Sequence, residues 1–298
     1  TNLTGSPVCG ENVTNMSHAY ENCTKLTGSA VCGNNVTNMY NTYTNCYNLT
    51  GPAACGPNVN IMYHTYYNCR NLTGSPVCGD KVTDMYRTYE NCTKLTGPAA
   101  CGNNVKYMYY TYANCRNLTG SPVCGPNVTG MNWTYLNCTN LTGSPVCGPN
   151  VVDMSSAYEN CTNLTGSAVC GNNVTSMYNT YRGCTNLTGP VICGPNVSSA
   201  NWAYAYCTNL RGNAYFYSNN TRNIGNCFYG KNNSRRLNIY AHIGSKTLTE
   251  LRSGTAAYSV LGKDIDWTVS GNNRYNTAYN IYIYAVENVA ATRAANGD

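Results

Sequence analysis

The residue with the widest chemistry in this sequence is cysteine, which fills 19 of 298 positions. A thiol can ligate zinc, pair as a disulfide, attack as a thiolate or pack as a small apolar group, and spacing separates these uses. No C-x-x-C pair occurs, and the histidines are only His18, His64 and His242, so the clustered ligand set of a zinc site is missing. A thiolate nucleophile needs a fixed basic partner. His18 and His64 stand near ladder cysteines, but the same column carries Asn41, Arg87 and Trp133, which reads as drift at a surface position. The chain holds no G-x-S-x-G, H-E-x-x-H, P-loop or G-x-G-x-x-G, and its 12 acidic residues recur in no acid/base pair. The expectation is a protein with no catalytic residue, no metal and no cofactor.

The spacing of the cysteines points to architecture instead. Cys9 to Cys193 form one series and Cys23 to Cys207 a second, both advancing by 23 residues. Leu3 to Leu210, Val13 to Val197, Met16 to Met177 and Tyr20 to Tyr204 keep the same step, and the consensus is L-T-G-S-P-V-C-G-P-N-V-T-N-M-Y-x-T-Y-x-N-C-x-N. A period held without insertion predicts a one-dimensional stack, in which each copy buries its apolar residues against the copies above and below. The expected fold class is an α/β repeat solenoid, a right-handed superhelix of nine 23-residue coils over residues 1–212, followed by a small β-rich capping or association domain over 213–298. Same-series cysteines then lie about one strand spacing, ~5 Å, apart. That distance permits disulfides, but the burial habit of cysteine favours ladders of free thiols, as in a protein assembled in a cytoplasm. The repeated N-x-T triplets read as asparagines whose amides bond the turns between coils.

Within a coil, L-T-G-S-P-V is expected to be a parallel strand of two or three residues, because its proline removes a ladder donor. Val36, Met39, Tyr43 and Cys46 are offset by 3, 4 and 3, which predicts two to three turns of helix with Asn35 near the N-cap. The pattern degrades at Arg211-Gly212 and ends after Cys227. Beyond it, period-two runs at 237–240, 247–251, 265–269 and 279–284 predict an antiparallel β domain, with a short helix in the tail from Val286 to Ala295.

The run Val13-Thr14-Asn15-Met16, Tyr20, Asn22-Cys23, Leu26, repeated in later coils up to about residue 212, resembles the leucine-rich repeats of BspA-type bacterial and phage surface proteins. Two departures stand out: tyrosine replaces the usual phenylalanine, and the strand segment is short and rich in glycine and proline. The resemblance implies attachment, as in adhesins and in phage fibres or receptor-binding proteins.

Positions that vary from coil to coil are free to meet a partner. Three such columns run through His18 to Trp202, Glu21 to Ala205 and Ser17 to Asn201, and they should form an outward stripe. Its proposed binding residues are Tyr67, Arg87, Tyr109, Tyr110 and Trp133, with Trp202 farther along, residue types that binding surfaces favour. A net charge of +6 with scattered basic residues, and a pI of 8.4, argue against nucleic acid. No apolar run is long enough to span a bilayer. The expected partner is a host cell-surface protein or glycan, met outside the cell from a bacterial surface or a virion. Homo-oligomers could form through the C-terminal domain, and the alternative role is a structural spacer or virion decoration. The opening in mid-pattern at Thr1-Asn2-Leu3 leads us to expect a preceding N-terminal portion.

Overall fold

A computed structural model of the chain describes residues 2–298; Thr1, where the pattern opens, lies outside them. The chain forms two compact units, Thr1–Thr142 and Gly143–Asp298. In both, residues 23 apart lie side by side as repeated ladders of tyrosine, cysteine and asparagine, an arrangement compatible with a repeat solenoid.

In the first unit the run from Met to Cys is a chain of β-turns, not the helix that the 3-4-3 offsets predict. Alternate amides divide the work. Thr42, Thr44 and Cys46 close turns onto Met39, Asn41 and Tyr43 at 3.0–3.3 Å, while Asn41, Tyr43 and Asn45 donate to Tyr63, Thr65 and Tyr67 of the next copy at 2.8–3.1 Å. The third residue of a type II turn needs positive φ, and Asn41 (53°) and Asn45 (62°) supply it. Helix and turn chain both bring every third or fourth side chain to one face, which is why periodicity did not separate them.

The expected strand is likewise reduced. Leucine-threonine segments share single bonds such as Thr50 N–H to Gly28 O at 2.9 Å, and isolated parallel bridges fall at the column before methionine, as in Asn38↔Ile61. Tyrosine compensates. Tyr43 is fully buried, crosses its own coil and donates its hydroxyl to Val31 O at 2.7 Å while accepting from Val31 N at 3.1 Å. Tyr66, Tyr89 and Tyr112 repeat this on Ala54, Val77 and Ala100. The rings stack at 5.3–5.6 Å. Buried peptide groups left without a strand partner are thus satisfied by a side chain.

Other columns follow the same logic. Asn68 Nδ2 donates to Asn45 Oδ1, Asn91 to Asn68 and Asn114 to Asn91, each at 2.8 Å. Buried Thr65 and Thr88 donate back to Met39 and Met62 carbonyls at 2.7–2.8 Å. All 19 cysteines are free. In the second series Cys69 and Cys92 give their protons to Tyr43 and Tyr66 carbonyls at 3.0–3.1 Å, and burial pushes both thiols well above the ordinary range.

The second unit contains the same turn ladder and a six-stranded sheet. Its elements are β1 (Val191–Cys193), β2 (Gly212–Phe216), β3 (Leu237–His242), α1 (Lys246–Leu251), β4 (Thr268–Ser270), β5 (Asn273–Asn276), β6 (Ile281–Val286) and α2 (Val289–Ala295). The sheet order is β1-β2-β3-β6-β5-β4. Pairings β1–β2, β2–β3 and β3–β6 are parallel, so the sheet is antiparallel only at its β4–β5–β6 edge, contrary to the all-antiparallel expectation. The parallel part grows out of the repeat: Val191 bridges Ala168, and Val191 pairs with Ala214, each 23 residues along.

The turn chain also runs on past Cys207 in degenerate form, with one residue inserted. Asn226 and Gly230 take the positive φ of Trp202 and Tyr206, and Phe228 stacks on Tyr204 at 5.5 Å. The run 247–251, read as a strand, is α1. Ser245 caps it by accepting from Leu248 N at 3.1 Å, a stronger local signal than the alternation. The tail helix forms as α2, capped by Asn288. Among the described residues no helix is long and apolar enough to cross a membrane.

Candidate functional site

The turn chain fixes which side chains can meet a partner. In the first unit the column two residues after methionine takes left-handed backbone throughout, at His18 (φ 59°), Asn41 (53°), His64 (55°), Arg87 (52°), Tyr110 (54°) and Trp133 (56°). Such a backbone is ordinarily left to glycine or asparagine, and costs other residues about 1–2 kcal/mol. It persists because the amides of this column are held by the next copy, as Arg87 N is by Tyr109 O at 2.9 Å.

From Asn41 to Trp133 this column is half-buried, His18 at its start being exposed, and it packs against the tyrosines of the column one residue after methionine. Tyr40 packs on Tyr63 at 5.3 Å, and Tyr63 stacks on Tyr86 at 4.6 Å with 13° between the rings. Tyr86 meets Tyr109 edge-on at 6.3 Å, and Tyr110 stacks on Trp133 at 4.8 Å and 5°. Tyr109 has room because Gly130 stands opposite: a Cβ there would run into the Tyr109 ring. Arg87 bridges the run, its guanidinium 5.3 Å from the Tyr86 centroid and 4.7 Å from that of Tyr110, both cation–π distances. Glu90 Oε2 lies 3.4 Å from Arg87 Nε.

His64 is enclosed by Tyr63, Tyr67 and Tyr86 at 4.5–5.5 Å, and its buried Nε2 has no hydrogen-bond partner. Burial, with the Arg87 charge second, pushes this imidazole down to about 4, so it is neutral at pH 7. The neutral ring packs the aromatic run from within, beside one cation, while the outer faces of its tyrosine neighbours, only half-buried, are what a ligand could stack on.

Of the residues singled out in the sequence, Tyr67, Arg87, Tyr109, Tyr110 and Trp133 all belong to this run in the first unit, with Tyr67 joined through His64. Tyr63, Tyr86 and His64 are equally central and were passed over. Their signal was adjacency: successive aromatics at 63, 86 and 109 in one column. Trp202 belongs to the second unit. There Tyr178, Asn179, Arg182 and Trp202 line a hollow of about 270 Å³. Arg182 holds Glu159 at 2.7 Å and lies 5.7 Å from the Trp202 ring. Among the described residues no three His, Cys, Asp or Glu side chains cluster as a metal site. Comparison of the chain with protein-family models, with curated proteins and with solved structures yields no match.

Proposed function

We propose that this chain is a non-enzymatic surface binding protein, an adhesin or a phage fibre or receptor-binding component. It acts outside the cell, from a bacterial surface or a virion, and presents a rigid repeat face to a host protein or glycan. Each unit is read as a right-handed superhelix of 23-residue coils of leucine-rich-repeat type, as the resemblance to BspA-type proteins implies. One observation carries the functional reading: the stacked run Tyr63–Tyr86–Arg87–Tyr110–Trp133, which the repeat itself does not require. The same columns hold Ser17 and Asn132 elsewhere in the unit, so stacking there is a property of this stretch and not of the fold. Large rings with few rotatable bonds, already packed, lose little entropy on binding.

The test is an array of glycans and host surface proteins, probed with the full chain and with Tyr110→Asn and Trp133→Asn. Asparagine stands in this column at Asn41, where φ is 53°, so both variants suit the backbone. Binding that disappears in both supports the proposal; binding unchanged in both, or no binding by the parent chain, favours a structural spacer.

A further inference from the structure

We infer that the solvent-facing side of the C-terminal sheet is a second binding site, for an acidic polysaccharide, independent of the turn-face reading. One face of this sheet buries Ala214, Phe216, Ile239, Ile281 and Ile283. The other carries a tyrosine row in register: Tyr215 stacks on Tyr240 at 5.2 Å and Tyr240 on Tyr284 at 5.1 Å, with Tyr275 and Tyr282 paired at 6.0 Å beside them. Helix α2 covers the Tyr215 end through Val289, leaving Tyr275, Tyr282 and Tyr284 only half-buried.

Arg236 is the organising residue. Its guanidinium lies 4.0 Å from the Tyr282 centroid, its Nε donates to Asn238 Oδ1 at 2.8 Å, and its Nη2 donates to Tyr284 Oη at 3.0 Å. The planar fork is therefore fixed without an acid, and it stands exposed. Two clefts open on this face. One, of about 430 Å³, is lined by Arg236 with Arg211, Asn213, Asn238 and Thr188. The other, of about 270 Å³, is lined by Tyr282 and Tyr284 with Tyr275, Arg274, Asn273 and Ser270. The acid at the first cleft, Asp298, is already engaged by Asn213 Nδ2 and Tyr215 Oη, both at 2.7 Å. The face thus offers guanidinium groups that no described acid meets at ion-pair distance, flat rings, and neutral amides and hydroxyls, with Asp298 the one acid lining either cleft.

Each element matches part of a sugar acid. Ring faces take the C–H face of a pyranose, amides and hydroxyls take its hydroxyls, and a guanidinium fork takes a carboxylate or sulfate. A nucleic acid would stack equally well, but strong phosphate binding draws on many basic residues along a strand. This face has three arginines and one aspartate among neutral polar groups.

The experiment measures binding of the full chain to polygalacturonate, dextran sulfate, neutral dextran and oligo-dT at two salt concentrations. The expected result is salt-sensitive binding to one or both anionic sugars, and the better of the two identifies the anion. Arg236→Gln and Arg211→Gln should each weaken it about tenfold or more, while Trp133→Asn leaves it unchanged, which separates this site from the turn face. Arg211 is exposed and its Nη1 makes only a long bond, 3.4 Å, to a backbone carbonyl, so its variant tests the site even if Arg236→Gln fails to fold. Equal binding to dextran, tighter binding to oligo-dT, no binding to either anionic sugar, or full affinity in both arginine variants would overturn the inference.

Discussion

The hydroxyl of Tyr66 satisfies both backbone polar groups of one residue: it donates to Ala54 O at 2.6 Å and accepts from Ala54 N at 2.9 Å, from a fully buried ring. This contact gives the repeat a physical reason to carry tyrosine rather than phenylalanine at this position. A strand segment broken by proline or glycine leaves an inward peptide without a ladder partner, and the hydroxyl supplies one. The converse holds in the second unit. Ile192, twelve residues before Tyr204, lies in β1 and donates its amide to Ala168 O at 2.9 Å. The Tyr204 hydroxyl then turns to Met177 Sδ at 3.9 Å, and the next ring is Phe228. Where a true strand begins, the hydroxyl is dispensable.

Tyr89→Phe and Tyr112→Phe should therefore each destabilise the chain by about 1–3 kcal/mol, the cost of leaving buried polar groups unpaired. Phe228→Tyr should bring no gain, since no peptide there waits for it. Urea unfolding midpoints of the three variants check this, and equal midpoints would remove the proposed role of the hydroxyl.

The asparagine ladder predicts an asymmetry between two small substitutions. Asn91 donates to Asn68 and accepts from Asn114, both at 2.8 Å, on left-handed backbone of φ 65°. Asn91→Asp keeps the acceptor, loses the donor and places a carboxylate against Asn68 Oδ1. Asn91→Gly loses both bonds but suits the backbone. We expect Asp to be the worse at pH 7, and to recover as the carboxyl is protonated, since a protonated acid can donate again. Thermal melts at pH 7 and pH 4 measure it.

Burial of the thiols and phenols sets the alkaline limit. Cys69, Cys92, Tyr66, Tyr89 and Tyr112 are all held well above their ordinary ranges by desolvation. Below about pH 7.5 both folded and unfolded chains keep nearly all of these protons. Above it the unfolded chain releases them and the folded chain does not, so stability falls by roughly 1 kcal/mol per pH unit for each buried thiol past its unfolded pKa. Many such groups acting together should give a steep, cooperative loss of structure between pH 9 and 11, read by circular dichroism. A flat profile would mean that the columns are solvated.

His64 sets a milder dependence on the acid side. Its folded pKa, about 4, lies below the ordinary 6.5, so the unfolded chain takes up the proton first on acidification. Stability contributed by the neutral ring is complete above pH 6.5 and declines towards pH 4. His64→Asn should flatten that slope while suiting the left-handed backbone. Ring resonances of His64 followed by nuclear magnetic resonance would show titration near 4, and a midpoint near 6.5 would place the ring in water.

The 23-residue register, the asparagine ladder and the free thiols could be read from the sequence, because identical spacing at Leu26, Cys46 and Asn45 forces like to meet like. The strands at β3 and β6 showed as Leu237-Asn238-Ile239-Tyr240 and Ile281-Tyr282-Ile283-Tyr284. What sequence did not reveal was backbone conformation between those marks. Val36, Met39, Tyr43 and Cys46 point inward from turns as they would from a helix, and only the asparagine that recurs from Asn22 to Asn160, with Gly183 after it, hinted at left-handed residues. Parallel pairing of β2, β3 and β6 was hidden because their long connections carry no fixed period. At the aromatic run, Arg87, Tyr110 and Trp133 were visible as variable columns. Their mutual stacking was not, since it depends on that left-handed register.

An experimental density map of the full chain at atomic detail tests the central claim most directly, by showing the run from Met62 to Cys69. The structure predicts two successive turns with left-handed His64 and Asn68, Tyr66 Oη in hydrogen-bond contact with the Ala54 peptide, and Cys69 unlinked. A continuous helix through these residues, or a disulfide joining Cys69 to any partner, would contradict it.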